Sequence, residues 1–208
     1  MDKQSSLRWI FSFLSILVVV SCTVLAGPTV RYGGDFDIPI LDKQPSGSSL
    51  TEALIQVPDH FTINDLDVCI NLTHTNVFDL QIFIQSPVGT RLCLNMYDFK
   101  NEFFQGEHYI QTIFDDEADI PIEQGTAPFT GRFRPKAGYL LEVFDGRDAF
   151  GDWRLQIYDM WYWDTGNLES VELIFSIAEP AVTISEPTTL TLLALGTGLT
   201  VLFRRRRV

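Results

Sequence analysis

Period-two alternation of apolar and polar side chains runs through the middle of this chain, and helical periodicity is almost absent from it. Asp67-Val68-Cys69-Ile70-Asn71-Leu72-Thr73 puts Val68, Ile70 and Leu72 on one face and the intervening residues on the other. The alternation returns in Leu80-Gln81-Ile82-Phe83-Ile84, in Arg91-Leu92-Cys93-Leu94, in Trp153-Arg154-Leu155-Gln156-Ile157-Tyr158-Asp159 and in Val171-Glu172-Leu173-Ile174-Phe175. Successive strand side chains point to opposite faces, so each run predicts a strand with one buried face. Clusters of turn residues such as Ser86-Pro87-Val88-Gly89-Thr90 separate the runs. Short strands spaced about a dozen residues apart predict an antiparallel sandwich or barrel. Two long stretches rich in acids and aromatics, residues 95–111 and 114–138, read as loops. Loops of that length in a compact domain usually carry function.

The ends of the chain follow other rules. Lys3 and Arg8 precede an apolar run over residues 9–20, and small residues lead to Ala26. That order predicts a secretory signal over residues 1–26, and the apolar run is shorter than the ~20 residues of a membrane span. Within it, Val19-Val20-Ser21-Cys22 resembles a bacterial lipobox, which would make Cys22 a lipidation site. At the other end, residues 188–203 are apolar and Arg204, Arg205, Arg206 and Arg207 follow. A helix of that length reaches about 24 Å, workable as a span when the arginines snorkel to the interface. Positive charge beside a span stays cytoplasmic, so the middle of the chain is expected outside. Residues 27–37 then form a linker, 38–177 one domain, and 178–187 a second linker before the terminal hydrophobic helix.

Ser185-Glu186-Pro187, the apolar stretch and the arginine cluster together resemble the PEP-CTERM sorting tail of Gram-negative envelope proteins. The resemblance implies an exosortase-like transpeptidase as a partner and a location at the envelope or extracellular surface. Ser185 stands where that motif has proline, which leaves open whether the tail is cut or stays as an anchor.

Setting both ends aside sharpens the charge balance. Residues 27–185 hold 25 acidic side chains against 9 basic ones, a net charge of −16. This excludes nucleic acid, which needs a basic footprint, and suits divalent cations or basic partners. Cys69 and Cys93 remain in this region, each between core-type residues, so both are expected to point off the same face. In an oxidising compartment they could pair, or both could stay as thiols.

A further resemblance lies in the loops. His74 follows Asn71-Leu72-Thr73, and Val77-Phe78-Asp79-Leu80 and Ser86-Pro87-Val88-Gly89-Thr90 come next. Then come Phe114-Asp115-Asp116-Glu117-Ala118, Pro128-Phe129-Thr130-Gly131-Arg132-Phe133, Phe144-Asp145-Gly146-Arg147-Asp148, Gly151-Asp152-Trp153 and Asp164-Thr165-Gly166-Asn167-Leu168. In order and spacing the set, over roughly residues 38–177, resembles the P domain (Homo B domain) of proprotein convertases and bacterial secreted proteases. The resemblance implies an all-β fold, a jelly-roll β-sandwich of about eight antiparallel strands. It also implies a module that stands beside a subtilisin-like protease and stabilises it, so the expected function is non-catalytic: adhesion, scaffolding or support of a partner protein, a protease in particular.

Candidate chemistry is sparse. The three histidines, His60, His74 and His108, have no nucleophile elbow or subtilisin-type block near them, so hydrolysis is not expected. His74 reads as a structural histidine bonding loop backbone. Calcium is the expected cofactor, because it takes six to eight oxygens in irregular loops. Asp79, Asp115, Asp116, Asp145 and Asp148 are the candidate ligands, with solvated turn-forming acids as the alternative. Trp161, Tyr162 and Trp163 cannot all face inward, since strand side chains alternate. Either Trp161 and Trp163 cap the sandwich while Tyr162 meets water, or the group binds a partner or stacks on sugar, which would make this a carbohydrate-binding module of an extracellular polysaccharide matrix.

Overall fold

The computed structural model describes residues 27–45, 47, 49–96 and 106–177. Among these described residues nine strands form two sheets: β1 (Thr29–Ile40), β2 (Ser49–Val57), β3 (Ile63–His74), β4 (Leu80–Gln85), β5 (Arg91–Asn95), β6 (Tyr109–Phe114), β7 (Phe129–Phe133), β8 (Gly151–Asp159) and β9 (Gly166–Ile177). One sheet runs β1-β9-β3-β6-β7 and the other β2-β8-β4-β5. All neighbours are antiparallel except β6 and β7, which pair in parallel. The expected sandwich is therefore present with one strand more than anticipated and one parallel pair.

Alternation explains the core. Val68, Ile70 and Leu72 of β3, Ile82 and Ile84 of β4, and Leu155 and Ile157 of β8 are buried between the sheets. β2 alternates without a break, burying Ala53, Ile55 and Val57. Trp153, 1% exposed, packs edge-on against Phe144 and Phe175 at 5.1 and 5.6 Å, and its indole N–H donates to the Ala149 carbonyl at 2.8 Å. Phe129 and Phe133 are buried, in T-shaped contact at 5.8 Å.

Two expectations are corrected here. Residues 29–37 are not a linker: they belong to β1, which pairs with β9 from Thr29↔Ser176 onward. That pairing needs Gly33, where a Cβ would sit 2.1 Å from the Val171 carbonyl oxygen. The stretch 114–138 is not one long loop, because it contains β7 and a 3-10 turn at Ile122–Gln124.

The long strands β3 and β9 set the two ends of the sandwich. Ile63 pairs with Ile177 at one end, and His74 pairs with Gly166 at the other. The Ile177 N–H donates to the Pro28 carbonyl at 3.0 Å, so the described chain enters and leaves at the first end. Twelve residues of β9 place the second end, the tip, roughly 40 Å away. Among the described residues no helix is long and apolar enough to cross a membrane. Cys22, the signal segment, Ser185, Glu186, Pro187 and the apolar stretch at 188–203 lie outside the described residues.

Candidate functional site

Two groups of carboxylates occupy opposite ends of the sandwich. At the end where the chain enters, Arg132 of β7 bridges two buried acids, its Nε donating to Asp115 and a terminal nitrogen donating to Asp67, both at 2.5 Å. The two acids respond differently. Burial outweighs the guanidinium at Asp67 and pushes its pKa up to about 6. Burial also works against Asp115, but hydrogen bonds from Arg132 and from the Glu117 N–H win and hold it low. Beside them, burial and the charges of Asp65, Asp116 and Glu142 push Asp145 up to about 6. Asp65 is raised by burial and by Asp115 and Asp116. One oxygen of Asp116 accepts the Glu142 N–H at 2.8 Å, and the other is buried without a partner. Asp148 stands apart, its carboxylate held by His60 at 2.7 Å and by the Phe150 N–H at 3.2 Å, with the His60 ring stacked on Phe150.

The tip is built differently. His74, at the end of β3, points its Nε2 at Oδ2 of Asp159, at the end of β8, across 3.4 Å, and both side chains are fully buried. Gly166 permits this close packing, since a Cβ there would lie 2.6 Å from the His74 ring. His74 Nδ1 meets the backbone of Asn76, which agrees with a structural role. Asp79, in the 3-10 turn Val77–Asp79, is buried nearby; burial, a hydrogen bond with Asp164 and the charges of Asp164 and Asp159 push it up to about 7. These acids hang the β8–β9 loop. The Trp161 N–H donates to Asp159 Oδ1 at 3.0 Å, the Met160 N–H to the Asp79 carbonyl at 3.0 Å, and the Thr75 hydroxyl to Asp164 at 2.6 Å.

The loop displays its aromatics outward. Trp161, Tyr162 and Trp163 are 43%, 37% and 92% exposed, so neither tryptophan caps the sandwich. Lys43 lies over the rings of Trp161 and Tyr162 at 5.3 and 5.0 Å.

The five expected calcium ligands are thus not brought together. Asp79 is at the tip; at the other end Asp148 is engaged by His60 and Asp115 by Arg132, which leaves Asp116 and Asp145 as the two candidates there without a basic partner among the described residues. Among the described residues no three metal-type side chains are grouped to hold an ion. Of the two alternatives for the cysteines the structure has the free thiols; they do not share a face, Cys69 lying partly buried on β3 and Cys93 buried on β5 of the other sheet.

A family model, the proprotein convertase P-domain, matches residues 63–175 of this chain. The chain belongs to this family. The P domain is the non-catalytic module of proprotein convertases, and here β1 and β2, ahead of the matched span, complete its two sheets. Among solved structures, a serine protease of Aeromonas sobria is similar at 19% identity and a TM-score of 0.43, over 73% of this chain and 27% of that one. The Aeromonas sobria serine protease in complex with a chaperone is similar at 18% identity and a TM-score of 0.42, over 74% and 28%. The chain therefore spans less than a third of either structure. No curated protein matches it.

In this P domain the site residues that the sequence did not single out as candidates are Asp42, Lys43, Asp65, Asp67, Arg132, Asp159 and Asp164. Asp159 carried one available signal: it ends an alternating strand on the inward side, where a carboxylate needs a partner.

Proposed function

We propose that this P domain acts as an exported, envelope-displayed module that supports a separate partner protein, a protease. The observation that carries this reading is the P-domain match over more than half of the chain. A surface suited to a partner supports it. Val88, Tyr139, Leu140, Val143 and Phe150 are exposed at or near the end where the chain enters and leaves. Exposed apolar side chains gathered in one region favour protein contact. Export by the signal at residues 1–26, and retention by the tail with an exosortase-like enzyme acting at Ser185, Glu186 and Pro187, complete the proposal.

Calcium has a narrower place in it than the sequence suggested. Asp65, Asp116 and Asp145 repel one another, and a divalent cation drawing their loops together would offset that repulsion. Melting curves of the full chain with calcium and with a chelator test this. No shift at millimolar calcium removes the ion and leaves the partner reading standing.

The partner reading is tested by the thermal inactivation half-life of a subtilisin-like protease from the same organism, with and without the full chain. Protection that Leu140→Glu and Val143→Glu abolish supports it. An unchanged half-life overturns it.

A further inference from the structure

The tip departs from what packing alone would select. Trp163 is 92% exposed and has φ +78°, a left-handed conformation that a bulky side chain rarely adopts. Strained backbone of this kind persists only where the surroundings enforce it. Here they do so from several directions. The Trp163 N–H donates to Asp42 Oδ2 at 3.1 Å, the Thr165 N–H donates to Thr75 Oγ1 at 3.1 Å, and Asp159 and Asp79 hold the start of the loop from below. The aromatic side chains therefore sit on a preorganised turn rather than on a loose one.

The polar groups beside the rings have capacity left. Asp42 Oδ1 is a buried acceptor with no hydrogen-bond partner in the protein. Asp164 adds a second carboxylate, which with Thr75, Asn76 and Glu107 lines a shallow cleft next to the loop. Flat ring faces flanked by hydroxyl acceptors are the chemistry that grips a pyranose: its C–H face stacks on the indole while its hydroxyls donate to the carboxylates. Charge narrows the choice further, because the acids of the tip and the −16 balance of residues 27–185 repel an anionic polymer.

We propose that Trp163, with Tyr162 and the carboxylates of Asp42 and Asp164, forms a binding site for a neutral polysaccharide chain. Trp163 supplies the stacking face, Asp164 accepts sugar hydroxyls from the cleft, and Asp42 holds the turn in place through the Trp163 N–H. Lys43, seated on Trp161 and Tyr162, holds those two rings in place. The site lies at the end of the sandwich opposite the chain's entry and exit, so sugar binding and partner binding need not compete.

Native gels cast with soluble neutral polysaccharides (glucomannan, xylan, dextran and hydroxyethyl cellulose) test it, using the full chain in detergent, beside gels of anionic alginate and cationic chitosan. The expected result is retardation in at least one neutral gel. Titration calorimetry with that polymer should then show at least a tenfold weaker association for Trp163→Ala and for Asp42→Ala. Arg31→Ala, exposed on β1 and outside both surfaces, should bind as the parent does, and circular dichroism melting of Trp163→Ala should show that it folds. No retardation in any neutral gel, retardation by chitosan alone, or undiminished binding by folded Trp163→Ala would each overturn the proposal.

Discussion

Nε2 of His74 and Oδ2 of Asp159 face each other across 3.4 Å with both side chains fully buried, and neither atom has another hydrogen-bond partner. The pair joins the end of β3 to the end of β8, and the other oxygen of Asp159 holds the Trp161 N–H. One carboxylate thus ties the sandwich to its aromatic tip. Asp159→Ala would leave His74 buried without its partner and release the loop. The expected cost is about 3 kcal/mol, a fall in melting temperature of roughly 6–12 °C. Tryptophan emission of the folded variant should shift as the tip loosens. A variant that melts like the parent would contradict this role.

Acid should stabilise the domain relative to mild alkali. Asp79 is pushed up to about 7 by burial and by its bond to Asp164, and Asp67 and Asp145 are each raised to about 6. A carboxyl whose pKa is higher folded than unfolded binds its proton more tightly in the native state. Its stabilisation is full below the ordinary carboxylate range and disappears as pH climbs through the folded value. Asp115 works in the opposite sense, but its loss falls at pH below this window. Calorimetry at pH 5, 6, 7 and 8 should show the melting temperature falling steadily, by several degrees in all. Asp79→Asn, which mimics the protonated group, should flatten the upper part of that fall. A melting temperature that rises across the series would refute the assignment.

How far the sequence revealed this molecule depended on whether a signal was local. β3, β4, β8 and β9 declare themselves because burying one face forces alternation, as at Val68, Ile70 and Leu72. β1 does not, because it is an edge strand: Gly33, Gly34 and acids interrupt it, and a register shift falls between Asp35 and Ile38. β7 is short, its centre is Thr130-Gly131-Arg132, and its parallel partner leaves no tight turn between them. Site residues were less legible still. Asp115 and Asp116 adjoin in sequence yet face different neighbours, and Asp148 is diverted to His60 by packing. Asp159 and Asp164 meet His74 and Asp79 only because β8 and β9 return to the end of β3. Strand alternation anticipated only that the tip aromatics would not all face inward; that Trp161 and Trp163 would lie open rather than cap the sandwich it could not give, because β8 ends at Asp159 and the rings sit on the loop beyond it.

Arg132 should tolerate no single-point replacement. Its Nε and a terminal nitrogen serve different carboxylates, Asp115 and Asp67, and both acids are largely buried. A lysine ammonium is a compact charge and cannot reproduce that fork. Arg132→Lys and Arg132→Met are each expected to lose about 2 kcal/mol, allowing for the half-exposed guanidinium. Coupling to Asp67 should be visible in a double-mutant cycle by urea denaturation: Asp67→Asn should cost much less in the Arg132→Met background than in the parent. Additive losses would show that the bridge contributes nothing of its own.

Thiol chemistry should divide the two cysteines without cross-linking them. Cys93 is 1% exposed, and burial pushes its pKa up to about 12, so the nucleophilic thiolate is scarce there. Cys69 is only partly buried, and its pKa, though raised by burial and by Glu172, is shifted less. Alkylation of the folded full chain followed by peptide mapping should label Cys69 first, and Cys93 only after denaturant is added. Because the strands that carry them lie in different sheets, a reducing agent should leave the melting temperature unchanged. A mapped Cys69–Cys93 cross-linked peptide, or a large loss of stability on reduction, would mean that the two sheets pack differently from the arrangement described here.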